Sequence, residues 1–595
     1  MPHTKNTWTA APSPNAVFSL ARFENLAVQY NDYVDDMSVV SGSVIVASNT
    51  SKYKVGADYV CDGTNDDVQI QAAIDDCAEV GGGTVQLLEG TYYINTIIRL
   101  KNNVNIVGLG PKTSVGRMWA PWTDPVMTND DTENGNYGIM LRDFWINYGQ
   151  IYLENCRSFP YISIQKILFT SGNCDCIIAH ECGHLRIDGC TTAYSGGGNW
   201  SFYDCEFVSI INSAFLNRPY ITFDGCRDCL IRGCIITSDN VGIGVYRSNH
   251  CMVIGNTITR VASDYIDSPL GVGSNIQTLI MGNVISEFHG AGGIYLTNSD
   301  EGALIIGNNI YNGKNDGTGN TGHGIYAMFF CGHANISGNS VHNNYNGGIE
   351  TGDYPNYTVK YGCVNDNYVY KNGLHGIRLT GITHTISAGN TTSWNSQKTH
   401  NTSSGITLGM QSVETWDNLL IGNLSYKGDS SPQQKYGINI QGDVGVSTYY
   451  NMVTMNYLKD GGATGALYDS GTNATDLKNW MTAGNKRTPC TIDLEIDDTY
   501  VTTSEPVHMI ARLYTDTSRT LRLARKTIKI WHSVGGWDTT PITDKEAKTD
   551  ALGQVYFDTQ FSSYNNYYFR AEFAGDAGCD APSTSTGIVY CAAGY

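Results

Sequence analysis

Two short motifs alternate along the middle of the chain. The first is an apolar strand with a Gly-Asn pair or a close variant, and the second is a four-residue segment that is mostly Gly-Ile-x-x, as in GIYA at 324–327. The asparagines of the first motif are Asn256, Asn283, Asn308, Asn339, Asn367, Asn390, Asn423 and Asn456. Two strands at a fixed phase in each repeat describe the coils of a solenoid, in which equivalent residues stack about 4.8 Å apart. The pattern therefore predicts a parallel solenoid with an interior asparagine ladder.

The composition excludes several other architectures. Of 595 residues, 66 are Gly and only 16% are charged. A long coiled coil or a charged disordered chain needs far more charge, and a mostly helical enzyme would not tolerate so much Gly. Short strands joined by turns fit this composition better.

The net charge of −19 limits the partners. It argues against nucleic acid, since no Lys/Arg cluster offsets it. No apolar run is long enough for a membrane span, and residues 1–18 lack the layout of a signal peptide. We therefore expect an extracellular or virion-associated protein whose signal was removed or that leaves its cell by lysis.

Residues 58–110 carry the most specific resemblance in the chain. They read DYVCDGTNDDVQIQAAIDDCAEVGGGTVQLLEGTYYINTIIRLKNNVNIVGLG, with Ile70, Ala73, Ile74 and Cys77 on one helix face. This string resembles the opening of pectate-lyase-superfamily proteins, including phage tailspikes. The resemblance implies an all-β fold, a single-stranded right-handed parallel β-helix (a pectin-lyase-like solenoid) whose N-terminal end is capped by a helix.

Three regions are expected. Residues 1–50 form an attachment or association segment with a helix over 19–37, which either packs on its own domain or self-associates. Residues 51–486 form the β-helix. Residues 487–595, with "RAEFAGD" at 570–576, resemble bacterial and archaeal Ig-like β-sandwich modules. One disulfide and one free thiol would account for Cys490, Cys579 and Cys591.

Ten of the 17 cysteines lie between Cys156 and Cys251. Five of them precede Asn256 at what looks like the same ladder position, as small buried residues: Cys156, Cys190, Cys205, Cys226 and Cys234. A zinc site is the alternative interpretation, built from Cys174, Cys176, His180, Cys182 and His184.

Candidate site residues flank the inward Ile of the second motif. The position before its Gly holds Asp264, Gly292, His323, Gly347, His375, Ser404 and Tyr436, and the position after the Ile holds Asp267, Tyr295, Tyr326, Glu350, Arg378, Thr407 and Asn439. Both positions should face outward and form stripes along the solenoid.

These stripes contain the groups that sugar chemistry requires. As catalytic candidates we take Glu350, Asp353, His323 and Asp267, because paired carboxylates can hydrolyse a glycosidic bond. Alternatively, His323 or His375 is a base, with Tyr326 as acid, in an elimination. The candidates for substrate binding are Tyr295, Tyr326, His375, Arg378 and Asp264.

Family motifs restrict this hypothesis. Gly322-His323-Gly324 is similar to the GHG motif of polygalacturonase-like hydrolases, but the companion motifs of that family are missing. The calcium-binding acidic cluster of pectate lyases has no residue-by-residue match either. We expect no cofactor, with Ca²⁺ left open, and the acidic net charge favours neutral or amino sugars as ligands.

The resemblance implies a tailspike-like homotrimer that binds, and in some cases depolymerises, cell-surface polysaccharide, with tail or baseplate proteins of a virion as further partners. The alternatives are a secreted microbial lyase or glycoside hydrolase, and a non-catalytic structural or adhesion protein.

Overall fold

A computed structural model describes residues 42–592 apart from a set of short intervals. Those intervals are 118–123, 171–174, 194–197, 217–219, 238–241, 260–267, 298–300, 316–320, 328–331, 353–358, 410–414, 430, 442–447, 450, 459, 470–474, 478–479, 482–487, 490, 497–499, 503–505, 515–526, 535–541, 551–553, 561–564, 574–578 and 581–582. The predicted association helix over 19–37 lies outside the described residues.

Within the described residues, the solenoid is built from three long parallel sheets, whose strands are counted over those residues, and each coil contributes one strand to each sheet in turn. Sheet 1 has 15 strands: Ile98–Leu100, Pro125–Asn129, Gln150–Glu154, Ile177–His180, Trp200–Tyr203, Ile221–Asp224, Ile243–Tyr246, Leu270–Gly273, Gly292–Thr297, His323–Ala327, Ile349–Thr351, Ile377–Leu379, Ile406–Leu408, Tyr436–Ile440 and Gly465–Asp469. Sheet 2 has 18: Ser43–Ala47, Tyr59–Val60, Gly83–Leu87, Val104–Val107, Met140–Arg142, Ile162–Gln165, Leu185–Asp188, Ser209–Ile211, Leu230–Arg232, Met252–Ile254, Leu279–Met281, Leu304–Ile306, Asn335–Ser337, Cys363–Asn365, Ile386–Ala388, Leu419–Ile421, Met452–Thr454 and Thr475–Leu477. Sheet 3 has 16: Gly90–Ile94, Thr113–Arg117, Trp145–Asn147, Leu168–Phe169, Thr191–Ala193, Ala214–Leu216, Ile235–Thr237, Thr257–Thr259, Val284–Ser286, Asn309–Tyr311, Ser340–His342, Tyr368–Tyr370, Thr391–Ser393, Leu424–Tyr426, Tyr457–Leu458 and Trp480–Met481. The predicted parallel β-helix is confirmed.

Smaller elements complete the solenoid. A fourth parallel sheet contains Val359–Lys360, Ile382–Thr383, Thr415–Trp416 and Thr448–Tyr449, and a 3₁₀ turn spans Gly110–Lys112. The helix α1, Asp66–Glu79, buries Ile70, Ala73, Ile74 and Cys77, as its apolar stripe predicts. Among the described residues, no helix has the length and apolar character needed to cross a membrane.

The asparagine ladder runs along the corner between sheets 2 and 3. Gly338 adopts φ +65° there, a left-handed conformation that Gly reaches without steric cost, and Asn339 follows it. The side-chain oxygen of Asn339 accepts from the backbone N–H and the side-chain amide of Asn308, at 2.9 and 3.0 Å. The same pattern links the ladder from Asn256 to Asn456, which confirms the prediction.

The five cysteines predicted for the ladder occupy two corners, so the prediction of a single ladder is wrong. Cys190 and Cys234 do precede Asn256, and the backbone N–H of Cys234 donates to that asparagine. Cys156, Cys205 and Cys226 instead follow strands of sheet 1, on the corner that continues through Ser248. At both corners, a small buried residue follows a residue whose backbone is in the left-handed conformation, so the sequences of the two corners look alike.

The C-terminal region contains two further sheets around a core of their own. One comprises Thr491–Ile496, Pro506–Tyr514 and Gln554–Gln560, and the other comprises Tyr500–Thr502, Ser583–Ala592, Asn565–Phe573, Thr527–Val534 and Ile542–Lys548. A two-stranded pair, Thr488–Pro489 and Cys579–Asp580, lies beside them. Val507, Phe557, Ile530 and Phe569 come from both larger sheets and are buried together. Cys490 lies outside the described residues, as do the side chains of Cys579 and Cys591.

Candidate functional site

Sheet 1 carries the predicted stripe on its outer face. Ile325, Ile349 and Ile377 stack on the inner face and are fully buried. Because side chains alternate along a strand, the next residue on each rung faces outward. The strand register aligns Tyr295, Tyr326, Glu350, Arg378, Thr407 and Asn439 in one column.

A second outer column lies beside the first. His323 pairs with Gly292, and the backbone N–H of Gly324 donates to the carbonyl of Gly347 on the next rung. The equivalent bond from Gly348 reaches the carbonyl of His375. His323, Gly347 and His375 therefore follow one another on three successive rungs, as the sequence predicts.

The first column begins differently from the prediction. The strand before Tyr295 is Leu270–Gly273, and Gly271 is the residue that pairs with Tyr295. The sequence pattern predicts Asp267 at this position, in YIDS at 265–268, because Ile266 resembles the motif Ile. Leu270 and Val272 serve as the buried apolar pair instead. Asp264, Asp267 and Asp353 all lie outside the described residues.

Glu350 lies at the centre of the stripe. Its Oε2 is 3.0 Å from Nδ1 of His323 and its Oε1 is 2.9 Å from a guanidinium nitrogen of Arg378. All three side chains are nearly inaccessible, with exposures of 2%, 2% and 9% for Glu350, His323 and Arg378. A buried carboxylate between two nitrogen donors is a strong acceptor of charge-assisted hydrogen bonds.

The protonation state of Glu350 follows from this arrangement. Burial raises the pKa of its carboxyl, but the charges of His323 and Arg378 and the bond from His323 outweigh burial and set the pKa at about 2. Glu350 is therefore ionised near neutral pH. A general acid for glycoside hydrolysis needs a raised pKa, so Glu350 is unsuited to that role. Its ionised carboxylate is suited to holding His323 and Arg378 in place.

The charged network extends to the neighbouring turn. Nδ2 of Asn346 lies 3.4 Å from Nε2 of His323, and Oδ1 of Asn346 accepts from the ammonium of Lys398. That ammonium also lies 3.5 Å from the centre of the Tyr345 ring. Asn346 and Lys398 were not singled out from the sequence, because nothing in the repeat marks them.

His375 is held differently from His323. Its Nδ1 accepts from the backbone N–H of Ser404 at 3.0 Å and lies 2.8 Å from Oγ1 of Thr407. Burial, with a smaller contribution from Arg378, lowers the pKa of His375 to about 4. This imidazole is neutral at physiological pH.

Aromatic rings lie beside the charged network. The His323 and Tyr326 rings are stacked with centroids 4.6 Å apart, and Tyr295 stacks on Tyr326 from the preceding rung at 5.8 Å. Tyr326 is buried and Tyr295 is half-buried. The stripe thus combines an aromatic stack with a cluster of charges, a combination suited to sugar rings and their polar substituents.

The alternative metal site is not assembled among the described residues. His180 stacks on Tyr203 and His184 on Phe207, while Cys182 bonds the carbonyl of His180. Cys174 lies outside the described residues. Within the described part of the chain, no three His, Cys, Asp or Glu side chains are arranged to hold a metal ion.

Comparison with known families gives one partial match. Residues 160–352 match the model of the family described as periplasmic copper-binding protein (NosD). The matched thiols bond backbone carbonyls, as Cys205 does with Ala179 and Cys226 with Phe202. Among the described residues of this segment, no group of three His, Cys, Asp or Glu side chains is arranged as a copper site. No curated protein matches the chain.

Several solved structures resemble the chain at low identity. The A-module of the Azotobacter vinelandii mannuronan C-5 epimerase AlgE4 is 15% identical, with 71% of this chain and 95% of that chain covered and a TM-score of 0.29. The tailspike gp61 of Pseudomonas phage phi297 is 10% identical, with 84% and 90% covered and a TM-score of 0.41. PfbA, a surface adhesin of Streptococcus pneumoniae, is 13% identical, with 58% and 90% covered and a TM-score of 0.40.

Proposed function

We propose that this protein recognises a polysaccharide of a cell surface through the outer face of sheet 1. One observation carries the proposal: the stacked rings of Tyr295, Tyr326 and His323 run directly into the Glu350–Arg378 ion pair on successive rungs. Aromatic faces bind sugar rings, and charged side chains fix their orientation.

The rung spacing supports an extended ligand. Rungs of a parallel sheet lie about 4.8 Å apart, so the five rungs from Tyr295 to Thr407 extend over about 19 Å. The other four members of this column are at most 9% exposed, so the half-buried Tyr295 is the member that a glycan chain along the solenoid axis would contact.

The finer proposal is a tailspike-type role, in which a homotrimer on a virion binds the glycan of its host and depolymerises it. The opening sequence at 58–110, the long solenoid and an Ig-like C-terminal module all motivate this role. A secreted monomeric lyase or hydrolase is the second candidate, and the buried charge network favours some catalysis in either case. A monomer in light scattering would exclude the trimeric form.

Binding is tested with purified surface polysaccharides in a titration. Tyr295→Ala removes the half-buried end of the aromatic stack, and we expect it to raise the Kd about 10-fold, the loss of roughly one stacking contact. Tyr361→Ala is the matched control, since Tyr361 is 53% exposed on another corner of the solenoid. Equal affinity of both variants and the wild type, or binding of none, would exclude this face as the glycan site.

A further inference from the structure

The outer face of sheet 3 carries a second column of aromatic rings, separate from the charged network of sheet 1. Tyr311, His342 and Tyr370 pair with one another on three successive rungs. Their ring centroids are 5.1 and 4.6 Å apart, and the ring planes differ by 2° and 15°. Two parallel rings this close cannot lie edge to edge in one plane, so their faces are stacked along the solenoid axis. The last ring, on Tyr370, therefore turns one face toward the next rung.

The aromatic column is interrupted on that next rung. The strand register places Ser393 opposite Tyr370, and Tyr426 follows on the rung after it. Ser393 presents only a hydroxymethyl group, so the two tyrosines stand two rungs apart, about 9.6 Å, with a small side chain between them. A ring that touches one neighbour on each side needs about 7–8 Å, because carbon atoms in contact are about 3.5–4.0 Å apart. The Ser393 gap, bounded by Tyr370 and Tyr426, therefore has room for one sugar ring.

Trp394 borders the Ser393 gap from the adjacent turn. A Cβ on Gly428 would overlap the indole, so the ring occupies space that only glycine leaves open. The ammonium of Lys371 lies 5.1 Å from the centre of the same ring. The indole is thus held in place before a ligand arrives, and a ligand that touches it loses little affinity to the ordering of that side chain.

The rings around the gap are open to a polymer. Tyr426 is 36% exposed, and its neighbours Tyr368 and Tyr457 on the same face are 48% and 37% exposed. Tyr368 lies beside Tyr370 with ring centroids 4.6 Å apart, and the Tyr457 centroid is 6.2 Å from that of Tyr426. Exposed aromatic side chains that cluster on one face mark a binding surface more often than solitary ones do.

The surface around the gap is uncharged. The six described strands from Asn309–Tyr311 to Tyr457–Leu458 contain no Asp, Glu, Lys or Arg, although the chain has 56 acidic residues. Burial, with a contribution from Lys371, lowers the pKa of His342, so this ring is neutral at physiological pH. A charged sugar would find no counter-charge on these strands, whereas tyrosine, serine and threonine hydroxyls suit the hydroxyl groups of a neutral sugar.

The size of this surface favours a short stretch of glycan over a second protein. Six rungs extend over about 24 Å, and strands of three residues are about 10 Å wide, which gives roughly 240 Å². A stable contact between two proteins buries about 800 Å² on each partner. The uncharged surface is therefore large enough for a few sugar rings and too small for a subunit interface of its own.

We infer that the outer face of sheet 3 between Tyr370 and Tyr457 is a second glycan-binding surface, which takes a neutral, pyranose-containing glycan with one sugar ring in the Ser393 gap. This inference goes beyond the proposed function, which concerns sheet 1, and it rests on different residues. A glycan on sheet 3 contacts exposed rings and does not need to reach the buried side chains of sheet 1.

Titration of the full-length protein with neutral polysaccharides tests this assignment. The probes are dextran, laminarin, mannan and galactan, and polygalacturonate is the acidic comparison. We expect at least one neutral probe to bind the wild type. Ser393→Tyr should weaken that binding at least 10-fold because another ring fills the gap, and Tyr426→Ala should weaken it about 10-fold because one wall of the gap is lost.

Thr237→Tyr is the matched control. Thr237 occupies the same outward column six rungs before Ser393, so this variant adds the same ring away from the gap and should keep the Kd of the wild type. A thermal melt of each variant checks the fold, and Tyr426→Ala decides the test if Ser393→Tyr does not fold.

Light scattering separates a glycan surface from a subunit contact. Ser393→Tyr should keep the molar mass of the wild type. A changed mass would assign this face of sheet 3 to an interface between copies of the chain and would overturn the inference.

Tyr295→Ala distinguishes this inference from the proposed function. A loss of affinity in Tyr295→Ala alone would overturn the sheet 3 site and leave recognition by sheet 1 standing. A loss in Ser393→Tyr and Tyr426→Ala alone would support the sheet 3 site and exclude the sheet 1 face. Binding of polygalacturonate alone, or of no neutral probe, would show that sheet 3 is not a surface for neutral glycans.

Discussion

Asn308 and Asn339 stand one coil apart, and the side-chain amide of the first donates to the side-chain oxygen of the second at 3.0 Å. Both residues are 1% exposed. Each amide in the column thus bonds the amide of the next coil, so direct side-chain bonds tie the coils together. A buried polar column of this kind is stabilising only while every member is satisfied.

The ladder predicts the effect of removing one member. Asn339→Ala would remove the acceptor of the Asn308 backbone N–H and one donor to the carbonyl of Ile305. The side chains of Asn308 and Asn367 would each lose one bond and keep another, to the carbonyl of Ile280 and from the backbone N–H of residue 339. We expect a loss of about 3 kcal/mol or more, because each unsatisfied buried group costs about 1–3 kcal/mol. Chemical unfolding monitored by circular dichroism measures this loss. The control, Asn309→Thr, lies on a partly exposed face and should change stability by less than about 0.5 kcal/mol.

Two buried cysteines, Cys234 and Cys229, should respond differently to replacement by asparagine. Cys234 already makes two contacts that a ladder asparagine would make: its backbone N–H donates to Asn256, and its thiol contacts the carbonyl of Ile210. Cys234→Asn would supply an amide to both partners and extend the ladder by one coil. We therefore expect it to leave the free energy of unfolding unchanged or to raise it by up to about 1 kcal/mol.

Cys229 is the matched comparison. It is fully buried, its thiol contacts the carbonyls of Cys205 and Arg227, and the equivalent residue of the next coil is Cys251 rather than an asparagine. Cys229→Asn would bury an amide without an amide partner and should destabilise the protein by about 2 kcal/mol. Equal melting temperatures for the two variants would contradict the idea that a buried asparagine needs an asparagine on the next coil.

Much of the solenoid could be predicted because each coil needs the same residue types at the same positions, so the repeat is visible in the sequence. A left-handed turn residue, a buried amide and an inward Ile recur wherever the coil geometry recurs, so the register of Tyr326 against Glu350 and of Glu350 against Arg378 followed from Ile325, Ile349 and Ile377. The prediction of the inward residue is wrong in one coil, where Leu takes the place of the motif Ile. Leu270 fills this inward position and pairs with Ile294, and the spacing of the motif alone does not distinguish Leu270 from Ile266.

The contacts of the site could not be predicted in the same way. The repeat predicts the order of side chains along the solenoid axis. It does not predict their rotamers, or which side chains from the turns will contact them. Lys398 reaches Asn346 from 52 positions along the chain. Similarly, the low pKa of Glu350 depends on both His323 and Arg378 turning toward it in a buried setting. Sequence alone therefore suggested a carboxylate acid where the geometry gives a carboxylate held ionised.

Gly347 makes room for the central ion pair. A Cβ at this position would lie 3.1 Å from Oε2 of Glu350 and 3.3 Å from Nδ1 of His323, tighter than ordinary contact distances. We expect Gly347→Ala to push the two side chains apart and to weaken glycan binding about 10-fold, which equals 1.4 kcal/mol. Isothermal titration and a thermal melt would separate this local effect from a loss of fold.

Gly332→Ala is the control for that variant. A Cβ at Gly332 would meet no atom within 4 Å, so binding and melting temperature should both stay unchanged. If Gly347→Ala also bound like the wild type, the His323–Glu350 contact would not matter for recognition.

His375 should make the protein sensitive to mild acid. Burial, helped by Arg378, lowers its pKa to about 4, against an ordinary value of about 6.5 when unfolded. Between these values the unfolded chain binds a proton that the folded protein does not, so stability is fully present above about pH 6.5 and falls as the pH drops toward 4. The loss should be on the order of 3 kcal/mol. His375→Gln cannot titrate, yet its side-chain oxygen can still accept from the N–H of Ser404. Denaturant unfolding at a series of pH values should therefore show that the free energy of unfolding falls less steeply with pH for His375→Gln than for the wild type.

His384→Gln is the control, on a partly exposed corner of the solenoid, and it should keep the pH dependence of the wild type. The same pH dependence for all three proteins would show that His375 is not held neutral by its surroundings.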